Sequence, residues 1–461
     1  MEAGFAAMLL DPPRPGALGP FLASYAAAFV PYGLAARAAL CTRAAGLQSR
    51  ASLGVVLAFA CLFRATLILA PPALSDDIYR YRFDGRVVLS GGNPYLDPPG
   101  AAGVALPRDA LDSRVAHQDV RTIYPPLAEL VFAAGAAIAP GLLGLKALLV
   151  LCDLLGILLL RWILKRRGLP EVRVLVYAWN PLAIIEVAWS GHLEPAGVLL
   201  VLCAAAAIIQ RRDLGSTLAL TLAALVKIFP LALFAPFLRS TRARALLLPP
   251  IVAAAFYWPY RDAGPRLFEG AWTYARRWSA NDSLFGIVQA AIVWIDPTPL
   301  LKEAIAWTRA RIPGSGPLDR LYGFLYPPDL ARAFCALAAV AAAFFILRRE
   351  RDPLRGAFLL TGALLLLSPT LHPWYLLWIL PWLALFPSRA WILLTGLVAL
   401  AYLNLGAAGR AAEPHPWVHL PEYLPFYLLL AREWTARRRR SFDRRSADPR
   451  GGPVARAGSG W

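Results

Sequence analysis

An acidic pair near residue 76 is the strongest candidate for acid–base chemistry. Asp76 and Asp77 follow Ser75 directly after a long apolar stretch, and the serine can cap a helix whose first turn holds both carboxylates. Arg80 and Tyr81 lie one helical turn further on, on the faces of Asp76 and Asp77 respectively. Neighbouring helical side chains point about 100° apart, so only one of the two carboxylates can act at a given point. The alternative is a pair that only caps an interfacial helix.

Further polar residues interrupt an apolar stretch that ends near residue 190. Asn180 and Glu186 lie within it, and His192 and Glu194 lie where it ends. A carboxylate among membrane helices is costly unless it is paired or hydrated, so such residues often mark functional sites. The alternative is a hydrogen-bonded contact between helices, which suits Asn180 and Glu186 better than His192.

Lys227 stands between two apolar pieces that are each too short for an ordinary span, with Pro230 close behind it. A helix broken at this place would expose the ammonium group in a cavity, where it could bind a lipid phosphate. The alternative is one continuous tilted span from which the lysine extends to the interface. A lone lysine inside such a stretch costs several kcal/mol without a partner, which favours the phosphate site.

Aromatic and cationic residues later in the chain fit contact with a sugar and a phosphate. His372 can donate a hydrogen bond to phosphate, while Trp374 and Tyr375 can stack on a sugar face or anchor the protein at the lipid interface. Arg277, in an Arg-Arg-Trp segment, suits a pyrophosphate, a sugar or a lipid head group.

The composition indicates that a membrane protein positions these residues. Of the 461 residues, 58% are apolar and 16% are charged, and the mean hydropathy is +0.52, whereas about a quarter of the residues of soluble domains are charged. These values argue against a cytosolic globule, a disordered chain and a nucleic-acid-binding protein. The net charge of +18 comes from basic clusters between apolar stretches, a pattern typical of cytoplasmic loops.

Hydropathy and charge predict an all-α polytopic bundle of about 11–13 transmembrane helices. The predicted spans are 18–40, 51–72, 143–164, 172–190, 193–210, two short pieces across 214–239, then 245–260, 327–347, 354–369, 373–387, 390–408 and 420–434. The segments 73–142 and 261–326 then form outer loops. Their apolar pieces 125–140 and 284–295 become juxtamembrane or re-entrant helices, because a crossing by 125–140 would place the basic cluster 165–167 outside.

The chain reads as one integral-membrane domain, 1–436, followed by a disordered basic cytoplasmic tail, 437–461. The arginines of the tail either anchor the topology or bind anionic lipid. The five cysteines have neither the spacing of a metal site nor that of a disulfide framework. The first residues lack the basic start and cleavage site of a signal peptide, so we expect insertion by the protein's own helices.

Taken in order, the motifs resemble those of bacterial polyprenol-phosphate-mannose-dependent mannosyltransferases of the GT-C superfamily, in particular α-(1→6)-mannopyranosyltransferase-like proteins. The resemblance runs from about residue 51 to 390 and rests on LSDDIYRYRFDGRV with GGNPY, IYPPLAEL, WNPL with SGH, LAALVKIFPLAL and SPTLHPWYLLW. It implies a GT-C-type helical bundle in the bacterial plasma membrane, with the active site on the extracytoplasmic side.

The resemblance also implies an inverting glycosyltransferase. Such an enzyme moves a hexose, by default mannose, from a polyprenyl-phosphate donor to a lipid-linked or cell-envelope glycan acceptor. Asp76 is then the general base, with Asp77 as its support or substitute, and Lys227 and His372 take the phosphate-binding positions. The other residues for substrate binding are Arg80, Tyr81, Tyr124, Asn180, His192, Glu194, Arg277, Trp374 and Tyr375.

We expect this chemistry to require no cofactor, because cationic side chains can stabilise the leaving phosphate. Some members of the superfamily use a divalent metal, for which Asp76, Asp77 and Glu194 offer oxygen ligands. Glucose, galactose and an aminoarabinose-like sugar stay open as alternatives to mannose. The competing function is a transporter or flippase of lipid-linked sugars, which also has broken helices and buried charges, although the two halves of the chain show no internal repeat.

Overall fold

Helices make up all the regular structure in the described part of the chain. The computed structural model describes residues 1–14, 17–41, 50–103, 106–313, 315–404 and 416–446. The α-helices are α1 (Glu2–Leu10), α2 (Gly19–Cys41), α3 (Arg50–Ile68), α4 (Asp77–Leu89), α5 (Pro126–Ile138), α6 (Leu143–Arg166), α7 (Leu175–Ala178), α8 (Pro181–Ile184), α9 (Glu194–Ile209), α10 (Asp213–Val226), α11 (Phe234–Phe237), α12 (Leu248–Tyr257), α13 (Glu269–Arg277), α14 (Leu284–Ile295), α15 (Thr298–Arg311), α16 (Pro327–Arg349), α17 (Pro353–Leu367), α18 (Leu380–Leu385), α19 (Arg389–Leu397) and α20 (His419–Ser446).

Shorter helical segments of other pitch connect or extend these helices. One π-helical turn spans Ile185–Trp189. The 3-10 segments are Asp112–Arg114, Glu171–Val174, Phe229–Leu233, Leu238–Ser240, Ala243–Leu247, Trp258–Phe268, Gly316–Phe324, Pro373–Trp378, Val398–Leu403 and Pro416–Val418.

The length and apolarity of its helices make the chain an all-α polytopic membrane protein, as the hydropathy predicted. Among the described residues, Ala51–Ile68 of α3 and the whole of α6 and α16 are long and apolar enough to cross a membrane. Two bent pairs of helices also qualify: the pair from Glu171 to Trp189, bent by 59°, and α14 with α15, bent by 70°.

The predicted 11–13 spans are not all continuous helices. Several predicted spans are divided into short helices by 3-10 or π segments, namely 172–190, 214–239, 245–260, 373–387 and 390–408. All but the last of these contain proline, which removes a backbone donor and clashes with the preceding turn. The described protein therefore contains fewer uninterrupted spans than hydropathy alone predicted.

The first outer segment folds into a helical pair that presents the acidic residues. Ser75 Oγ accepts a hydrogen bond from the Asp77 backbone N–H at 3.2 Å at the start of α4. Helix α4 packs closely against α5, because Gly85 has no side chain where the backbone of Phe132 approaches. The Tyr81 ring stacks on the Phe132 ring at 4.5 Å. The predicted apolar piece 125–140 is thus the short helix α5.

The central helices pack around a buried ion pair. Arg64 of α3 donates to Asp153 of α6 at 2.5 Å, and the hydroxyl of Tyr177 donates to the same carboxylate at 2.5 Å. Both charged side chains are buried, so the pair and its hydrogen bonds satisfy what would otherwise be isolated charges among apolar helices. This network lies outside the residues expected to do chemistry.

The second outer segment and the chain end can be compared with the predictions from the sequence. The piece 284–295 is helix α14, which packs on α16. Helix α20 continues past Arg437, the expected start of a disordered tail, as far as Ser446. The rest of the predicted tail, 447–461, lies outside the described residues.

Candidate active site

One large cavity collects most of the predicted site residues. It has a volume of about 1410 Å³ and lies where the start of α4, the end of α10 and the turn before Pro373 meet. The predicted residues on its wall are Asp76, Asp77, Arg80, Tyr124, Lys227, His372, Trp374 and Tyr375. Residues far apart in sequence, with both carboxylate and cationic side chains, therefore face one space.

Asp76 directly precedes α4, and its carboxylate pairs with an arginine from the same outer loop. Arg114 donates to Asp76 Oδ1 at 3.0 Å, and its guanidinium also lies 4.2 Å from the centroid of the Tyr79 ring. Burial raises the pKa of Asp76 above its usual value, although the Arg114 charge opposes that rise. A carboxylate whose pKa is raised is a stronger base when it is ionised.

Asp77 faces a different set of charges. Its Oδ2 lies 3.7 Å from His192 Nδ1, and 38% of its side chain is exposed, whereas His192 is buried. Burial also raises the pKa of Asp77, while His192 and Lys227 lower it. The two carboxylates thus address different parts of the cavity, as expected for consecutive helical positions.

Lys227 lies at the predicted break between two apolar helices. It follows α10 with an extended backbone (φ −152°, ψ 138°), just before the 3-10 segment Phe229–Leu233. Its ammonium group donates to Glu194, which is buried at the start of α9. The same ammonium lies 4.3 Å from the centroid of the Tyr375 ring. A broken helix, rather than one continuous tilted span, therefore carries the lysine to the cavity.

The turn before Pro373 adds an imidazole and aromatic rings. The His372 and Trp374 rings stack at 4.4 Å, and the Tyr375 and Tyr274 hydroxyls are 2.5 Å apart. Burial, followed by the nearby charge of Lys227, lowers the pKa of His372 to about 3. The imidazole is therefore neutral near pH 7 and can donate one hydrogen bond.

Five predicted site residues do not line this cavity. Tyr81 packs between α4 and α5, and Asn180 is buried in hydrogen bonds to Tyr32 and Thr395, the helix-to-helix contact that the sequence left open. Arg277 lies on a second cavity of about 410 Å³ between α13 and the start of α16. The other two, His192 and Glu194, lie behind the wall, in contact with Asp77 and Lys227.

Several residues on the wall were not among the residues predicted to bind substrate. Arg114 and His117 come from the loop before α5, and Tyr274 and Trp278 come from α13 and its end. The loop that carries Arg114 is fixed by Arg82 and Arg86 of α4, which both pair with Asp109 and Asp112. Nothing periodic in the sequence marks Arg114. However, two arginines and two aspartates in one outer loop are a signal that the parts of that loop pack together.

In the described ranges, no group of three or more His, Cys, Asp or Glu side chains is close enough to hold a metal ion. Glu194, one of the three suggested ligands, instead accepts from Lys227.

Two family models match the chain on either side of the second outer loop. The model described as alpha-(1->6)-mannopyranosyltransferase, N-terminal domain, matches residues 18–244, and the MptB C-terminal domain model matches residues 329–432. The chain belongs to the α-(1→6)-mannopyranosyltransferase family. No curated protein and no solved structure gives a significant match.

Membership makes this chain a membrane mannosyltransferase, and therefore a glycosyltransferase, as the resemblance implied. The first match covers α4, α5 and Lys227, and the second covers the turn of His372. The cavity is thus built by both matched regions of this α-(1→6)-mannopyranosyltransferase family member. The unmatched residues between them include α13, whose Tyr274 and the adjacent Trp278 also face the cavity.

Proposed function

We propose that this protein transfers mannose, with inversion, from a polyprenyl-phosphate donor to a hydroxyl of a glycan or glycolipid acceptor. The observation that carries this proposal is the meeting of Asp76, Asp77, Lys227 and His372 on the wall of one cavity. A carboxylate can deprotonate the acceptor, and the cationic and neutral donors can stabilise the leaving phosphate. The family name supports mannose and an α-(1→6) linkage.

We assign the general base to Asp76 because of where its neighbours lie. An inverting displacement requires the acceptor and the leaving phosphate on opposite sides of the anomeric carbon. The charge of Lys227 acts on Asp77, whereas the charge of Arg114 acts on Asp76. Asp77 therefore belongs to the phosphate side of the cavity and Asp76 to the acceptor side. Asp76 Oδ1 accepts from Arg114, which leaves Oδ2 for the acceptor hydroxyl.

The reaction then has a simple balance of atoms. The acceptor oxygen forms a bond to the anomeric carbon while its proton moves to Asp76. The bond from the anomeric carbon to the phosphate oxygen breaks, and its electron pair goes to the phosphate. Lys227 and His372 meet the resulting charge as hydrogen-bond donors.

The remaining wall suits the other parts of the donor. Tyr124, Trp374 and Tyr375 offer ring faces for the sugar. Apolar side chains at the break after α10 and on α17 offer a surface for the prenyl chain, namely Ile228, Phe229, Leu364 and Leu365. Such a cavity, with a polar part and a larger apolar part, fits a lipid-linked sugar.

We place the cavity on the extracytoplasmic side of the bacterial plasma membrane. The support for this is the charge pattern. The basic clusters 165–167 and 348–351 lie at the C-terminal ends of α6 and α16, and the positive-inside rule assigns such clusters to the cytoplasm. Asp76 lies at the other end of the neighbouring spans. Cysteine labelling with a membrane-impermeant reagent at an exposed loop residue, such as Asp262→Cys, tests this placement.

The direct test is transfer by the purified protein in lipid nanodiscs. Radiolabelled polyprenyl-phosphate mannose and a membrane-glycolipid extract are supplied, and products are separated and linkage-analysed. Asp76→Asn should abolish transfer but keep donor binding, whereas Asp262→Asn, an exposed carboxylate in the second outer loop, should leave transfer unchanged. Movement of the donor across the membrane of proteoliposomes, without transfer of mannose, would instead support the transporter function. Full activity of Asp76→Asn would overturn the assignment of Asp76 as the general base.

A further inference from the structure

A chain of ionisable groups leads away from the cavity into the protein. Asp77 lies at the cavity, His192 lies behind it, and Glu186 lies deeper still, with both of the latter fully buried. His192 Nδ1 is 3.7 Å from Asp77 Oδ2, and His192 Nε2 is 3.2 Å from Glu186 Oε2. The second oxygen of Glu186 accepts from the hydroxyl of Tyr402. The proposed reaction uses neither the imidazole of His192 nor the carboxylate of Glu186.

The local backbone is built to hold this imidazole in place. Glu186 lies in the π-helical turn Ile185–Trp189, and such turns are rare and occur frequently at functional sites. The backbone N–H of His192 donates to the carbonyl of Glu186 at 2.9 Å. Between them Gly191 has a φ of +74°, and an added Cβ would lie 2.4 Å from Ile78 of α4. The left-handed backbone at this position favours glycine, and the absence of a side chain leaves room for Ile78.

The ring of His192 is also fixed from one face. Trp374 stacks on it with ring centroids 3.9 Å apart, and the same indole stacks on His372 at 4.4 Å. The packing of Trp374 thereby limits the orientation of the His192 ring, which lies between two carboxylates. A buried histidine between two carboxylates is a costly arrangement unless its charge is used or balanced.

We propose that His192, backed by Glu186, is a positioning residue that holds Asp77 ionised and oriented toward the anomeric carbon of the donor. Positive charge develops at that carbon as the bond to phosphate breaks, and a fixed carboxylate stabilises it. Asp76 then removes the acceptor proton, so the two aspartates have separate roles. This inference rests on the proposed function, and it explains why a histidine and a glutamate are buried behind the wall.

The charges around His192 give the sign of the expected pH effect. It is faced by Asp77 of α4, Glu186 of the π turn, Glu194 of α9 and, through Trp374, His372. The charge of His192 lowers the pKa of Asp77. Loss of that charge therefore raises the pKa of Asp77, and the acidic limb of the pH–rate profile moves to higher pH.

The test compares two variants with matched controls in full-length protein in nanodiscs. His192→Phe keeps a ring against Trp374 but removes both nitrogens, and Glu186→Gln removes one charge at nearly constant volume. We expect His192→Phe to lower kcat by about 10- to 100-fold with little change in the donor KM, and to shift the acidic limb upward. Glu186→Gln should act in the same direction but less. His419→Phe and Glu303→Gln, outside the cavity wall, should match the wild type.

The outcomes separate this inference from the function on which it rests. If the wild type transfers no mannose, the proposed function fails. If the wild type is active and His192→Phe lowers kcat without moving the acidic limb, His192 only packs and the inference is overturned; unchanged kcat overturns it as well. If His192→Phe does not fold, as judged by its melting temperature, Glu186→Gln decides by the same two criteria.

Discussion

The close packing of α4 on α5 predicts a large effect from a single methyl group. In Gly85→Ala the new Cβ would lie 2.4 Å from the backbone oxygen of Phe132 and 2.5 Å from its carbonyl carbon, whereas ordinary contact begins at 3.4 Å. Backbone atoms cannot rotate away, so α4 must move by about 1 Å, and Asp76 and Asp77 at its start move with it. A displacement of about 1 Å can lower catalysis about 100-fold, while overpacking costs about 1–3 kcal/mol of stability.

Initial rates at saturating donor, together with the melting temperature, measure the two effects separately. The matched control is Gly54→Ala in α3, where an added Cβ meets nothing within 4 Å and alanine favours the helix by about 1 kcal/mol. The control should keep its activity, and its melting temperature should stay the same or rise. A folded Gly85→Ala protein whose kcat stays within a few-fold of the wild type would show that the position of α4 does not set the position of the reacting groups.

Two further substitutions test the charges on the cavity wall. In Arg114→Gln the pKa of Asp76 rises, because the guanidinium that lowers it is lost, so the acidic limb of kcat/KM should move to higher pH; a pH–rate profile with an unmoved limb would exclude Asp76 as the base. Lys227→Met should raise the donor KM at least about tenfold and, by leaving buried Glu194 unpaired, lower stability by about 3 kcal/mol. Adding Glu194→Gln should restore the melting temperature but not donor binding, whereas recovery of both would make the pair purely structural.

The sequence predicted the residues of the cavity better than their contacts. Asp76, Asp77, Lys227 and His372 could be identified because each is a polar group beside an apolar stretch, where burial without a function is costly. The pairing of Arg114 with Asp76 could not be predicted, since it depends on an irregular loop held by four ion pairs. Local spacing does not determine how such a loop folds back.

The direction in which a side chain points, rather than its residue type, accounts for the other differences between the predicted and the observed site. The end of α13 places Tyr274 and Trp278 toward the large cavity and Arg276 and Arg277 toward the small one. In the sequence the Arg-Arg-Trp segment looked suited to a sugar phosphate as a whole, because the order of its residues was known but the partners of each helix face were not. His192 lies deeper than predicted for the same reason. It is in a turn, as the sequence predicted, but that turn lies one layer behind the cavity wall.

The broken helices explain why hydropathy overestimated continuous spans and yet located the site. Lys227 follows the end of α10, His192 lies between the π turn and α9, and His372 directly precedes the 3-10 segment that starts at Pro373. Irregular backbone at membrane depth is tolerated only where it lines a cavity or is buried in protein. The interruptions at Lys227 and before Pro373 therefore also bring a polar side chain to the cavity, and the one after the π turn places His192 directly behind the wall. A substitution that restored a continuous helix through Lys227 would remove its ammonium group from the site.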